Sequence, residues 1–521
     1  VRTTLALGRF EARCLRRSIA LWIGVAGSVW ILQLVAFGRD DSLRDPMLEQ
    51  AANLSRWVHP LCATLVFAWF RASARSRRDH TDELFDACPT ARAGRTRGHL
   101  ASAWLAVAFA AVFVIVCLAG ARLFRDAYGP IDAEVIAEAL SAVVLVIGAC
   151  WLGVLLGRMT RFGLSPVLVL VVILVADFWL WRGLGGDVGR QAGPPRAAQL
   201  ATTANWPIPD LVFSARPVGW HLLYVAGLAA LCAVAAIALH DRSRRVVFVA
   251  LAVLGVTAVS AASAVRPLTD PEIRRIAALV DNPVPHQVCS TRGPVTACLY
   301  EKYRDGLLEL LDASDGVVAA TPEAVQARGF RISQRLHPRD LDGLDDRVLA
   351  LVRPDVRAAV QVGFPEDGMW HVPFRGGRAV VMATRLAAGA WAVGLPLAEH
   401  SGSCDASYQA RSVIAMWLAA HDLAPSDRDE SRLRGFSLDW SDTESPVTWS
   451  GFDWDAARIL LARPNAEVEA ALHAGWDRYT DPTTTTAQLM ADFGSIFPEQ
   501  LPPSGPDPDA QFNVAPRPCP K

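Results

Sequence analysis

Long apolar runs crowd into the first half of the chain and are missing from the second. Runs at about residues 18–37, 54–70, 100–121, 134–157, 165–182, 219–240 and 246–265 are apolar around the whole helical circumference, not striped along one face. A helix needs about 20 apolar residues to cross the roughly 30 Å hydrocarbon layer of a bilayer. The pattern predicts an α-helical polytopic membrane domain of about seven spans over residues 1–265. From residue 266, charged, aromatic and Pro/Gly-rich stretches alternate at short periods, which predicts an α+β soluble domain over 266–501 and an extended, proline-rich tail over 502–521.

Arginines give the spans a direction, because basic segments resist translocation. Arg9, Arg13, Arg16 and Arg17 precede the first run, and seven arginines from Arg71 to Arg97 follow the second. Arg158 and Arg161 follow the fourth, and Arg242, Arg244 and Arg245 follow the sixth. These segments are expected in the cytoplasm. An odd number of spans then places the second half outside it, in a multi-pass plasma-membrane protein with a cytoplasmic N-terminus. Phe37-Gly38-Arg39-Asp40-Asp41 lacks a small-x-small cleavage pattern, so the first run is expected to stay as a span.

In the second half, helices are expected from Asp270, over Leu299–Ala313, Cys404–His421, Asp453–Ala462, Ala466–Tyr479 and Thr484–Phe493. Ala358–Phe364 reads as a strand, and Trp370–Phe374 with Arg378–Thr384 reads as a hairpin joined through Gly376-Gly377. Asp453 is an expected helix cap. The acidic aromatic stretch from Asp439 to Asp455 suits a cation or a sugar, but its tryptophans are more simply core and its aspartates turns and caps.

Four of the ten cysteines, Cys289, Cys298, Cys404 and Cys519, lie in the expected exterior, where an even number suits disulfides. Cys289 and Cys298 flank a Gly-Pro turn between two short strands, a geometry that brings their sulfurs together, leaving Cys404 and Cys519 as the other pair. Four cysteines allow three pairings, and free buried thiols are the plainer alternative.

Composition removes several function classes. A net charge of -1 gives no support to a nucleic-acid partner. Only Lys302 and Lys521 are lysines, an arginine bias common in high-GC bacteria, and neither lysine follows a glycine-rich phosphate loop. The chain is not expected to hydrolyse ATP by itself. It has no G-x-S-x-G elbow, no H-E-x-x-H zinc helix and no C-x-x-C spacing, so no catalytic residue, metal or cofactor is expected.

The segment between the second and third runs is the most informative. A basic stretch leads into Thr81, which caps a short helix with Asp82 and Glu83 in its first turn and Leu84 and Phe85 behind them. Pro89 ends it, and a second basic stretch follows. This order resembles the coupling segment of type-2 ABC export permeases, and the basic amphipathic stretch Leu5–Ser18 is similar to that family's interfacial helix. The resemblance implies a membrane subunit of an exporter, driven by a separate cytoplasmic P-loop ATPase that docks on Asp82, Glu83, Leu84, Phe85 and Pro89. It also implies pairing with a second copy or a related permease. The seventh span and the exterior domain depart from the family. A membrane-anchored extracytoplasmic binding or sensory protein is the alternative.

Arg56, His59, Glu134, Glu138, Asp177 and His221 fall at the outer ends of runs. Asp177 lies furthest inside one, where an ionised carboxylate costs about 2.5–3.5 kcal/mol unless it finds a partner or water. Arg56 and Asp177 are therefore the candidates for a translocation vestibule. The plainer alternative puts Asp177 at the interface beside Trp179 and Trp181.

Overall fold

The computed structural model describes residues 2–37, 47–79, 81, 92–124, 127, 129–160, 162–182, 200, 217–267, 269–334, 369–372, 378–395, 404–424, 447–495 and 517–519. The chain divides into two compact units, the first ending at Thr269 and the second starting at Asp270.

The first unit is helical: α1 (Arg2–Leu15), α2 (Ile19–Phe37), α3 (Met47–Trp57), α4 (His59–Arg78), α5 (Arg92–Ala101), α6 (Trp104–Phe124), α7 (Ala133–Met159), α8 (Ser165–Arg182), α9 (Val218–Ala238) and α10 (Arg244–Ala264). Among the described residues, four helical stretches are long and apolar enough to cross a membrane, over Arg92–Leu123, Ala133–Met159, Val218–Ala238 and Arg244–Ala264. A fifth is reached if α1 and α2, which meet at a 71° bend, count as one. Phe248 (74% exposed), Val172 and Ile115 point outward from α10, α8 and α6, an arrangement suited to a hydrocarbon solvent.

One of the expected runs takes a different form. The run at 54–70 is split at Val58, between α3 and α4. Pro60 explains the break, since it has no N–H to give the Arg56 carbonyl and its ring crowds that turn. The apolar stretch of α4 then ends at Arg71. The run at 165–182 forms α8 over the same residues.

Helix α7 is the centre of the unit, packed along α4 and α9. Its start is capped by Asp132, whose carboxylate accepts the Glu134 and Val135 N–H groups at 3.0 Å. Small residues set its contacts. A Cβ on Gly153 would lie 2.5 Å from the Val66 carbonyl oxygen, and one on Gly157 would lie 2.8 Å from that of Phe70. Gly148 lies against Ala229 of α9 in the same way. Such spacing lets backbones approach where no hydrophobic force separates helix from solvent.

The second unit mixes helices and strands and begins with helix α11 (Asp270–Asp281). Strands β1 (Gln287–Arg292) and β2 (Val295–Tyr300) form an antiparallel hairpin, with Cys289 opposite Cys298 and a disulfide joining them. Gly293 turns the hairpin at φ 51°, a conformation that favours glycine. Closing so short a loop stabilises the hairpin by about 3 kcal/mol in the chain-entropy account. β3 (Phe330–Gln334) pairs parallel to β2, and β4 (Met369–Val372) parallel to β3, giving a sheet of order β1-β2-β3-β4.

Several expected boundaries are corrected here. Leu299 belongs to β2, and the helix α12 runs over Leu307–Ala319, burying Leu307, Leu310, Leu311, Ser314, Val317 and Val318 along one face. The Arg378–Thr384 half of the expected hairpin is instead the start of helix α13 (Arg378–Ala392). Its alanines favour a helix, and Met382, Leu386 and Ala390 recur at helical spacing and are buried. Cys404 begins the short strand β5 (Cys404–Asp405), and the helix expected from it, α14, spans Ala410–Ala420. The expected strand at 358–364 lies outside the described residues.

Every residue of α14 is buried, including Arg411. Its guanidinium donates to Gln409 Oε1 at 2.6 Å and to the Cys519 carbonyl at 3.3 Å. The terminal strand β7 (Arg517–Pro518) is thereby tied beside β5, on whose other side lies β6 (Val447–Thr448). Arg385 of α13 donates to the Ala419 carbonyl at 2.6 Å and that of Ala313 at 3.1 Å, and pairs with Asp422. Burial pushes the Arg385 pKa down and the Asp422 charge opposes it.

Ser450 caps α15 (Gly451–Leu461), and Asp453 completes a capping box three residues later. The buried Asp453 carboxylate also accepts the Tyr408 N–H at 3.0 Å and the Thr486 hydroxyl at 2.6 Å. These bonds hold Tyr408 at φ 63°. Asn465–Ala474 forms α16, and Thr486–Asp492 forms α17 behind a second capping box at Thr485.

Two pairs of variants test this account. Gly157→Leu forces α4 and α7 apart and is expected to cost about 1–3 kcal/mol in unfolding of the full chain in detergent. Gly120→Ala, where a Cβ meets nothing within 4 Å, is expected to cost nothing. Asp453→Ala leaves buried donors unmatched and should cost about 3 kcal/mol, against about 1 for Asp453→Asn. Burial raises the Asp453 pKa above the usual 3.8 despite its hydrogen bonds. The folded state therefore keeps a proton that the unfolded state loses, and this contribution to stability falls as pH rises between the two values. Asp453→Asn should remove that slope, measured by denaturant titration at several pH values.

Candidate functional site

The helices of the first unit bring their basic ends together. Arg77, near the end of α4, donates to the carbonyls of Gly157 at 2.8 Å and Arg158 at 2.6 Å, covering the C-terminal end of α7. Arg97 of α5 pairs at 2.9 Å with Asp241, in the turn between α9 and α10. The Trp69 indole of α4 donates to Ser102 at 3.0 Å, and the Trp151 indole of α7 to the Leu100 carbonyl at 3.1 Å. Segments expected on one side of a membrane from their arginines are thus also one end of this bundle.

Helix α1 packs on α5 at this end, with a Cβ on Gly8 lying 3.1 Å from Ala101 Cβ. Glu11 faces inward, 4.0 Å from the Arg75 guanidinium and 3.8 Å from His99 Nδ1. Those separations lie within ion-pair range and beyond hydrogen-bond length. The contact to His99 carries attraction between opposite charges only when the imidazole is protonated. Sequence reading missed Glu11, although it is the single acid among the arginines of an amphipathic stretch.

Between α4 and α5 runs the candidate coupling segment. Asp82, Glu83, Leu84, Phe85 and Pro89 lie outside the described residues; Asp79 and Arg92 on either side lie within them.

Polar groups also gather at the opposite ends of the helices. Arg56 is exposed at the end of α3, and Asp177 is buried on α8, at 6% exposure. Both lie within electrostatic range of His59, and Asp177 also lies within range of Tyr224 of α9. The Tyr224 and His221 rings lie 6.5 Å apart. Gln50, Glu138 and His221 are buried too. A carboxylate, imidazoles and a phenol among apolar helices are groups able to relay a proton. Tyr224 went unnoticed in the sequence; its spacing of three from His221 was the available signal.

In the second unit, Cys519 is disulfide-bonded and buried, and the Cys404 backbone lies opposite Arg517 in the parallel pairing of β5 with β7. The Cys404 side chain lies outside the described ones. Cys14, Cys62, Cys117, Cys150 and Cys232 are free thiols. Trp449 and Trp454 of the acidic aromatic stretch are buried core, and Asp453 is part of a cap. Asp439, Trp440, Asp442 and Glu444 lie outside the described residues. Among the described residues no group of three or more His, Cys, Asp or Glu side chains is placed to hold a metal.

The two arginine latches are of unequal strength. Arg77→Ala leaves two carbonyls at the end of α7 without that donor and should cost about 1.5–3 kcal/mol. Arg97→Ala removes a partly exposed pair (side chains 47% and 27% exposed) and is expected to cost less than Arg77→Ala. Thermal unfolding of the full chain in detergent checks the ranking.

Comparison of the chain with protein-family models, with curated proteins and with solved structures finds no match in any of the three.

Proposed function

We propose that the chain is the membrane-spanning permease subunit of an ABC-type exporter, driven by a separate P-loop ATPase. One observation carries the reading: both flanks of the 82–89 segment are fastened to the rest of the basic end, by Arg77 to α7 and by Arg97 to the α9–α10 turn. A force applied to that segment reaches α7 directly through α4 and, more loosely, the α9–α10 turn through α5. An ATPase docked there would push on α4 and, through Arg77, on the central helix α7.

In this reading the chain has seven spans, with α4 and α8 completing the number. The basic end faces the cytoplasm and the second unit faces outward, where its disulfides persist. The group around Asp177, Arg56 and His59 lines the outer part of the translocation path. The permease works as a homodimer or beside a relative. The Cys289–Cys298 disulfide favours a second reading in which the outward unit does the main work, as a membrane-anchored binding or sensory protein.

Co-purification of the full chain with a P-loop ATPase from the same cells separates the two. The expected result is a stable complex that is weakened at least tenfold by combined replacement of Glu83, Leu84 and Phe85 with alanine. An absent complex, or one indifferent to those three residues, removes the exporter reading.

A further inference from the structure

The disulfides at Cys289 and at Cys519 differ in how a thiol can reach them. Cys519 is bonded and 5% exposed, and its carbonyl accepts from the buried Arg411 guanidinium at 3.3 Å, so that bond belongs to the packed interior. The Cys289–Cys298 bond instead crosses two neighbouring strands, with Cys289 exposed on β1 and Cys298 buried on β2 at 7% exposure.

Thiol–disulfide exchange has a fixed direction of attack. The incoming thiolate approaches one sulfur in line with the bond, from the side opposite the sulfur that leaves, and its rate depends on access to that side. For attack at Cys289, that side faces away from β2. The sheet order is β1-β2-β3-β4, so β1 is an edge and, among the described residues, no strand lies beyond it. For attack at Cys298, the approach comes from β3, where Ser333 is the paired residue and is itself buried. One sulfur is thus open to a thiol and the other is shielded by the sheet. Other bonds hold the hairpin while the disulfide opens. All six residues of β1 pair in register with β2, and the Gln287 side chain donates to the Gln334 carbonyl. Cys298 therefore stays opposite Cys289, placed to close the bond again.

We propose that Cys289–Cys298 is a site of reversible thiol exchange with a small-molecule thiol. The thiolate sulfur bonds to Cys289 Sγ, the bond to Cys298 breaks, and its electron pair leaves on Cys298 Sγ, which takes a proton from water. A second thiolate attacks the small-molecule sulfur of the mixed disulfide and releases the Cys289 thiolate. The two small thiols leave as their oxidised dimer, having given up the two electrons that the cysteines gain. The oxidised dimer drives the same steps in reverse. This inference is independent of the exporter reading.

The test uses the full chain in detergent, with accessible free thiols blocked by N-ethylmaleimide before reduced glutathione is added. Newly opened cysteines are alkylated at intervals and assigned by peptide mass spectrometry. Cys289 and Cys298 are expected to open at least about tenfold faster than the Cys519 disulfide. Equal or faster opening at Cys519 overturns the proposal. After transfer to oxidised glutathione the Cys289–Cys298 bond should re-form, and a pair that stays open overturns it too. Two variants locate the attack. With oxidised glutathione, C298S leaves the exposed Cys289 thiol and should take up the adduct at least about tenfold faster than C289S, which leaves the shielded Cys298. Equal uptake by the two, or faster uptake by C289S, overturns the assignment of Cys289 as the attacked sulfur. If either variant does not fold, the native chain's ranking of its two disulfides and the re-formation of the bond decide.

Discussion

Gly153 and Gly157 lie one turn apart on α7 and admit the backbone of α4, with no room at either position for a side chain. In water, helices are pressed together by the solvent; in hydrocarbon that force is missing and close packing must do the work. The contact has to be intimate to be worth anything. Because α4 lies so close, Trp69 is fully buried and reaches Ser102, and Arg77 reaches the last carbonyls of α7. On the other side of α7, Gly148 and Ala229 repeat the device for α9. The basic ends of the helices meet because their apolar shafts have already been brought together.

Much of the helical unit was legible in the sequence, and its physical cause is simple. A helix that must be apolar all round leaves an unbroken run, so α6, α7, α9 and α10 coincide with their runs to within a few residues. The run at 54–70 hid a boundary, because hydropathy averages over Pro60 while the backbone cannot. Side-chain partnerships were less visible. Nothing in the local sequence says that Arg97 meets Asp241, which is 144 residues away, or that Glu11 turns toward Arg75 and His99.

The second unit was harder to read because its signals are short. Arg378-Ala-Val-Val-Met opens like a strand, and only the alanine-rich continuation to Ala392 identifies a helix. Leu299 sits in an apolar stretch that fits either structure until its pairing with Val288 decides for the strand. Local chemistry with few solutions was more legible. A glycine between two nearby cysteines gave the hairpin and its disulfide, and Ser450 with Asp453 had the spacing of a capping box. Asp453 was expected at the cap itself. Its actual place, three residues on, frees its carboxylate to bind Tyr408 and Thr486 as well, so one residue joins three segments.

The same logic of a few side chains joining distant segments gives the basic end its mechanical character. Arg77 and Arg97 stand on the two helices that flank the 82–89 segment, and each is fastened to a different part of the bundle. The fastenings differ in kind. Arg77 binds carbonyls whose positions are set by α7 itself, so it transmits displacement of α4 directly to the central helix. Arg97, itself about half exposed, binds a partly exposed carboxylate in a turn, a contact that solvent can replace at little cost. Motion entering through α4 is therefore coupled tightly to α7, while motion entering through α5 can be taken up by opening the Arg97–Asp241 pair. A partner pressing on this segment would move the α4–α7 pair as one body and let α5, with α1 on its surface, shift against the α9–α10 turn.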